Sequence, residues 1–218
     1  MTVLAPHALL LADGRFPGGG HAHSGGLEAA VADGSIDPAR LFPTLQAFVA
    51  GRLAATGAID AWLAASSCSG GDEAELDAEA DARCPSPALR VASRRLGRGL
   101  RRAAARSFPV VAGGPGQHHP VVVGVVARAA GLGPDDAAQL AVHHVLAGAV
   151  SAAVRLLPID AADAMAVAIG LTALAAEVAA EGGAAARGPL CDGPAWSAPL
   201  VELRAEAHAR WEVRLFAS

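Results

Sequence analysis

The stretch F-P-G-G-G-H-A-H-S-G-G-L-E, from Phe16 to Glu28, packs five glycines, one proline and two histidines into thirteen residues. Gly18, Gly19 and Gly20 can take positive φ without a Cβ clash, so the backbone here can turn sharply and lie close to another surface. Pro17 fixes φ just ahead of the turn. Beyond it, Ser24 is a good N-cap, and Leu27, Glu28 and Val31 follow at helical spacing. Before it, Leu4 to Asp13 reads as a short apolar helix. The stretch is a helix, a corner holding His21 and His23, and a second helix. A dinucleotide fingerprint would need a strand in front of it, and a Walker loop would need Gly-Lys-Ser/Thr. The chain has no lysine; all seventeen basic residues are arginine.

Helical signals continue outward from the corner. Asp37 caps a helix with Pro38 at its first position, and Leu41, Leu45, Phe48, Val49, Arg52 and Leu53 recur at helical spacing. Gly57 is expected to separate this helix from the next, Ile59 to Ala65, which carries Trp62. Glu73 to Arg83 reads as an acidic surface helix. Ser86 and Pro87 open a basic one, Ala88 to Arg106, with Arg94, Arg98, Arg101 and Arg102 on one face. That face is expected to be solvated and paired with acidic neighbours.

Val110 to His119 is a Gly/Pro loop, and Pro120 opens a valine-rich helix to Ala130. Val121 to Val126 could form a buried strand, but nothing else in the chain could pair with it. A long helix follows from Pro134 to Leu157, then an apolar helix capped by Asp160 and reaching Glu181. Gly182 to Pro199 reads as a loop and Leu200 to Val213 as the last helix. The expectation is one all-α domain over residues 1–218, a bundle of about nine or ten helices.

Composition narrows the function. Apolar residues make up 53% of the 218, but aromatics only 4%. Such a chain builds its core from many close helix contacts among small side chains. A net charge of −4 leaves no footprint for nucleic acid. Cys68, Cys84 and Cys191 are odd in number and far apart, which fits a reducing compartment. The N-terminus lacks the basic and cleavage signals of a secreted chain. Ala161 to Ala180 is long enough to span a membrane, but Asp163 and Glu177 interrupt it, so a buried soluble helix is expected.

Eight histidines raise the question of metal. His143 and His144 are adjacent and diverge by about 100° on a helix, so at most one faces a given ligand. One is expected in the core or an interface, the other exposed. His118, ahead of His119 and Pro120, reads as a polar helix-start residue. No HExxH or other metal-ligating pattern appears, and Ser24 and Ser151 lack the surroundings of a nucleophile. No catalytic residue, resident metal site or cofactor is expected.

Four stretches, taken together and in order, resemble the urease accessory protein UreF family over essentially the whole chain. They are G-G-G-H-A-H-S-G-G-L-E, H-P-V-V-V-G-V-V-A-R-A-A-G-L, S-A-A-V-R-L-L-P and the tail H-A-R-W-E-V-R-L-F-A-S. The resemblance implies a cytoplasmic, dimeric, all-α scaffold or regulator without enzymatic activity of its own. Its partners would be UreD (also called UreH), the GTPase UreG and apo-urease, and its task nickel insertion. Partner contacts are expected at Gly18, Gly19, Gly20, His23, Ser24 and Glu28 in the corner, Arg155 on the long helix, and His208, Arg214, Leu215 and Phe216 at the C-terminal end. His21 and His23 would touch nickel only in passing. Trp211, Leu215 and Phe216 are large apolar groups near a chain end, so the tail is expected to order against UreD. The rival reading is a histidine-using nickel metallochaperone or a metal-dependent helical enzyme.

Overall fold

The structure, a computed structural model, describes residues 6–18, 20, 23–108 and 117–216. The described residues form eleven α-helical segments and no strand. They are α1 (Pro6–Ala12), α2 (Leu27–Ala32), α3 (Leu41–Arg52), α4 (Ala58–Cys68), α5 (Glu73–Ala82), α6 (Pro87–Ala104), α7 (His119–Ala129), α8 (Pro134–Leu156), α9 (Ala161–Gly170), α10 (Thr172–Ala185) and α11 (Pro199–Ala209). A π turn, Leu53–Gly57, joins α3 to α4 without a break, so the segments make ten continuous helices. Gly57 was expected to separate the two. Its φ of −60° is helical, and the wider turn absorbs the change in register.

α4 is the centre. It packs against α7, α8 and α10, and every residue from Ala61 to Cys68 is buried. Its sequence, A-I-D-A-W-L-A-A-S-S-C, is mostly small, so neighbouring backbones come close. The neighbours supply glycine where they cross. A Cβ at Gly124 of α7 would run into the carbonyl of Ala64, and one at Gly182 of α10 would lie 2.5 Å from the Ala61 Cβ. Ser67 Oγ donates to the Val121 carbonyl at 2.8 Å, which joins α4 to α7 through a buried hydroxyl.

The valine run of α7 is a helix. Val121, Val122, Val123, Val125 and Val126 are all buried, so packing on several sides outweighs their modest helix propensity. The apolar stretch after Asp160 is not one helix. It bends by 51° between α9 and α10. Gly170 weakens the helix there, Leu171 turns into the core at φ −104°, and Thr172 Oγ1 donates back to the Ile169 carbonyl at 2.8 Å. Among the described residues α8 is long and apolar enough to cross a membrane, and more than half of its most apolar 18-residue window is buried in the bundle. α10 runs on through Gly182 and Gly183 to Ala185, into what the sequence suggested was loop. The last helix ends at Ala209, short of Val213.

The capping expectations hold at α6 and α9, whereas Asp37 caps a 3-10 turn, Pro38–Arg40, ahead of α3 rather than α3 itself. Asp37 accepts from Ala39 N, Ser86 Oγ from Leu89 N, and Asp160 from Asp163 N. The arginines of α6 split between two rows. Arg90, Arg94 and Arg101 face acidic α5: Arg101 reaches Glu73 at 2.7 Å, Arg94 reaches Asp77 at 3.7 Å and also Asp81, and Arg90 reaches Asp81 at 3.7 Å. Arg98 and Arg102, expected on the same face as Arg94, point outward instead.

Gly124→Val is expected to destabilise the fold by about 1–3 kcal/mol or more, because the Ala64 carbonyl belongs to a helix held on every side. A urea midpoint measured against the unsubstituted chain checks it.

Candidate partner-binding site

The corner between α1 and α2 is closed by short backbone bonds. Phe16 N donates to Asp13 O at 2.8 Å, Gly18 N to Phe16 O at 2.7 Å and His23 N to Gly20 O at 3.2 Å. Gly18 makes the close approach expected of it: a Cβ on Gly99 of α6 would lie 2.7 Å from the Gly18 carbonyl. The positive φ angles fall elsewhere. Gly25 (59°) and Gly26 (90°) adopt them, whereas Gly18 and Gly20 do not. Gly26 is also the residue that precedes α2, in place of the Ser24 cap read from the sequence. Ser24 is buried and its hydroxyl reaches Glu28 N at 3.4 Å. Gly19 and His21 lie outside the described residues, as do residues 109–116 of the Gly/Pro loop.

Beneath the corner is a cavity of about 310 Å³, lined by Gly18, Gly20, His23, Arg52, Asp60, His119 and His144 among others. Arg52 donates through Nη1 to the Gly25 carbonyl and so ties the corner to the end of α3. A side chain at Gly25 would occupy the space of that guanidinium. Burial pushes the Asp60 carboxyl up to about 7, with Arg52 pulling it the other way, and burial lowers Arg52. The sequence reading placed Arg52 only as a member of a helical stripe and passed over Asp60. A charged residue on each of two otherwise apolar helix turns is the signal that could have flagged them.

The histidines hold backbone. His143 and His144 both donate through Nε2, to Ala12 O and Leu11 O, each at 3.0 Å. These are the last carbonyls of α1, which have no partner within their own helix. His143 is exposed and His144 half-buried, and both cap α1 despite diverging around α8. His118 N donates to Asp77 Oδ1 at 2.5 Å, and its Nε2 pairs with Asp81 Oδ1 at 3.0 Å, which locks the start of α7 to α5. The His119 and His144 rings lie 5.3 Å apart. Burial, then His144 and His23, hold His119 down to about 3; burial first holds His144 down to about 4. Among the described residues no three His, Cys, Asp or Glu side chains are grouped to hold a metal ion.

At the other end of the chain the tail returns to α2. Glu28, buried, accepts from Leu215 N at 2.8 Å, from Phe216 N at 3.0 Å and from His208 Nε2 at 2.9 Å. Phe216 is 3% exposed, and the Arg155 guanidinium lies 4.2 Å above its ring. His208 is buried and Trp211 packs on it, ring centres 4.7 Å apart. The tail, expected to order against a partner, orders on Glu28 of its own chain. Val213, Arg214 and Leu215 stay exposed. Glu28, Arg155, His208 and Phe216 thus form one internal cluster that presents Arg214 and Leu215 outward. Ala217 and Ser218 lie outside the described residues.

With this geometry in view, comparison with known proteins decides the family. The UreF family model matches residues 39–181. Proteins named urease accessory protein UreF match the full chain. The one from Mycolicibacterium vanbaalenii is 42% identical over 96% of this chain and 97% of its own. That of Mycobacterium sp. strain JLS is 42% identical, and that of Mycobacterium tuberculosis H37Ra 39%, each over the whole of both chains. The chain belongs to the UreF family. The family model covers the bundle from the start of α3 into α10, whereas the full-length relatives extend across the corner and the tail as well.

Two outcomes are expected. Glu28→Ala strands three donors and frees the tail, at a cost of about 2–4 kcal/mol, with Glu28→Gln milder; urea titration and faster trypsin cleavage at Arg210 and Arg214 report it. For pH, His119 and His144 have folded values below their unfolded value of 6.5, so their contribution is lost as pH falls. Asp60, raised from 3.8 to about 7, acts in the opposite sense and favours the fold on acidification. His118, lowered mainly by burial, acts with His119 and His144, and together they outweigh the one carboxyl, so stability should drop as pH falls from 6 to 4. Asp60→Asn should steepen the fall in urea midpoint and His144→Gln should flatten it.

Proposed function

We propose that this UreF-family chain is a non-catalytic, cytoplasmic scaffold of urease maturation. It joins UreD (UreH) and the GTPase UreG in the complex that inserts nickel into apo-urease. The full-length likeness to proteins named urease accessory protein UreF carries this reading, because it spans the corner and the tail as well as the bundle. The site geometry supports it. Residues near the two ends of the sequence converge on Glu28, which sets the tail beside the start of α2. Gly20 is exposed with open space around it, and His23 is half-buried at the cavity. Leu215, 68% exposed on a backbone pinned to Glu28, is a preordered apolar contact for UreD. Holding the tail in place before association lowers the ordering cost of binding. Nickel is cargo, touched in passing by His23 together with His21.

The chain acts as a homodimer. α9 turns Ala162, Met165, Ala166 and Ile169 outward at i, i+3, i+4 and i+7, a seam of small and long apolar residues suited to a symmetric helix pair.

Coexpression of apo-urease, UreD and UreG homologues with nickel tests the function. The chain should raise urease activity, and light scattering should give twice its mass. Gly20→Val and His23→Ala should each lower activation severalfold while the urea midpoint moves by less than about 0.5 kcal/mol. Urease reaching full activity without the chain would refute the scaffold role. Full activation by both variants would remove the corner from it.

A further inference from the structure

We propose that the outward face of α6 is a docking surface for an acidic helix of a partner protein, bound through Arg95, Arg98 and Arg102 with Val91 as the apolar anchor. α6 carries two arginine rows offset by one residue. The first, Arg90, Arg94 and Arg101, is spaced i, i+4, i+11 and is occupied. It receives α5, whose Glu73, Asp77 and Asp81 stand at i, i+4, i+8. The arginine side chains of this row therefore already reach the carboxylates of an acidic helix that itself packs on α4 and α7.

The second row, Val91, Arg95, Arg98 and Arg102, repeats that spacing at i, i+4, i+7 and i+11, which keeps all four on a single stripe. All four are exposed. Among the described residues no carboxylate lies within ion-pair distance of Arg95, Arg98 or Arg102. Like charges three and four residues apart on a helix repel, so the row weakens the folded chain by itself. A carboxylate-bearing partner turns the repulsion into attraction. Guanidinium forks suit carboxylates in paired hydrogen bonds. Apolar area lies beside the row. α11 packs against the start of α6, where Glu206 accepts from Ser86 Oγ at 2.5 Å and Ala88 N at 2.9 Å, and it exposes Leu200 and Leu203. Nucleic acid fits less well, since the row has no aromatic side chain for stacking.

The probe is a fluorescein-labelled synthetic helix with Glu at i, i+4, i+7 and i+11 and one Leu, titrated with the full chain by fluorescence anisotropy. Binding should saturate, weaken as NaCl rises and fall about tenfold in R95E/R98E/R102E. Arg210→Glu, an exposed charge elsewhere, should leave it unchanged, and circular dichroism should show the triple variant as helical as the parent. Absence of saturable binding, equal binding by the triple variant, or equal binding of a peptide with the same residues scrambled overturns the proposal. Tighter binding of a duplex DNA probe, lost in the same variant, would reassign the face to nucleic acid and overturn it as well.

Discussion

The fold depends on how closely α7 and α10 approach α4. A helix made largely of alanine and serine buries little area per residue, so its stabilisation comes from backbone proximity and the number of contacts made at short range. Gly124 and Gly182 permit that proximity from two sides, and both sit where even one methyl group would meet α4. Leu, Val and Trp then fill the spaces between the crossings, with Trp62 fully buried. Everything else is hung on this centre. The π turn ahead of α4 lets α3 continue the same rod, and α8 runs along it to carry the two histidines that close α1.

Polar chemistry in this molecule is spent on joints. His143 and His144 finish α1, Asp77 and Ser93 hold the start of α7, Arg52 holds the corner and Glu28 holds the tail. Each satisfies backbone groups that a short helix or an irregular segment leaves without partners. The consequence is that Leu215 and Phe216 are held on Glu28 of their own chain. Surfaces set in advance lose less freedom when they bind.

Much of this was legible in the chain. Pro38, Pro87 and Pro134 mark helix starts, with Asp37 and Ser86 capping the first two, because capping is chemistry between near neighbours. The acidic and basic natures of α5 and α6 were equally plain, and so was the corner itself. The errors came where distant residues intervened. Gly57 looked like a break and is part of a π turn, since α10 and α4 hold both sides. The run after Asp160 looked continuous and bends at Leu171, since the core accepts that leucine only if the helix yields. Ser24 looked like a cap, yet Gly25 and Gly26 shape the entry to α2 because Arg52 fills the space a side chain would need.

By itself, then, the sequence determined an all-α chain, the positions of most helix starts, the exclusion of nucleotide loops and the likeness to the UreF family. These rest on spacing, propensity and local hydrogen bonding, which a linear chain displays. Only the tertiary structure decided that the tail returns to Glu28, that two diverging histidines serve one helix end, that Arg52 and Asp60 share a cavity wall, and that one arginine row of α6 is filled while its neighbour is open. Each joins residues far apart in the chain, separated by 187 and 188 positions in the tail's bonds to Glu28. No periodicity encodes such a pairing; it follows from how the helices pack.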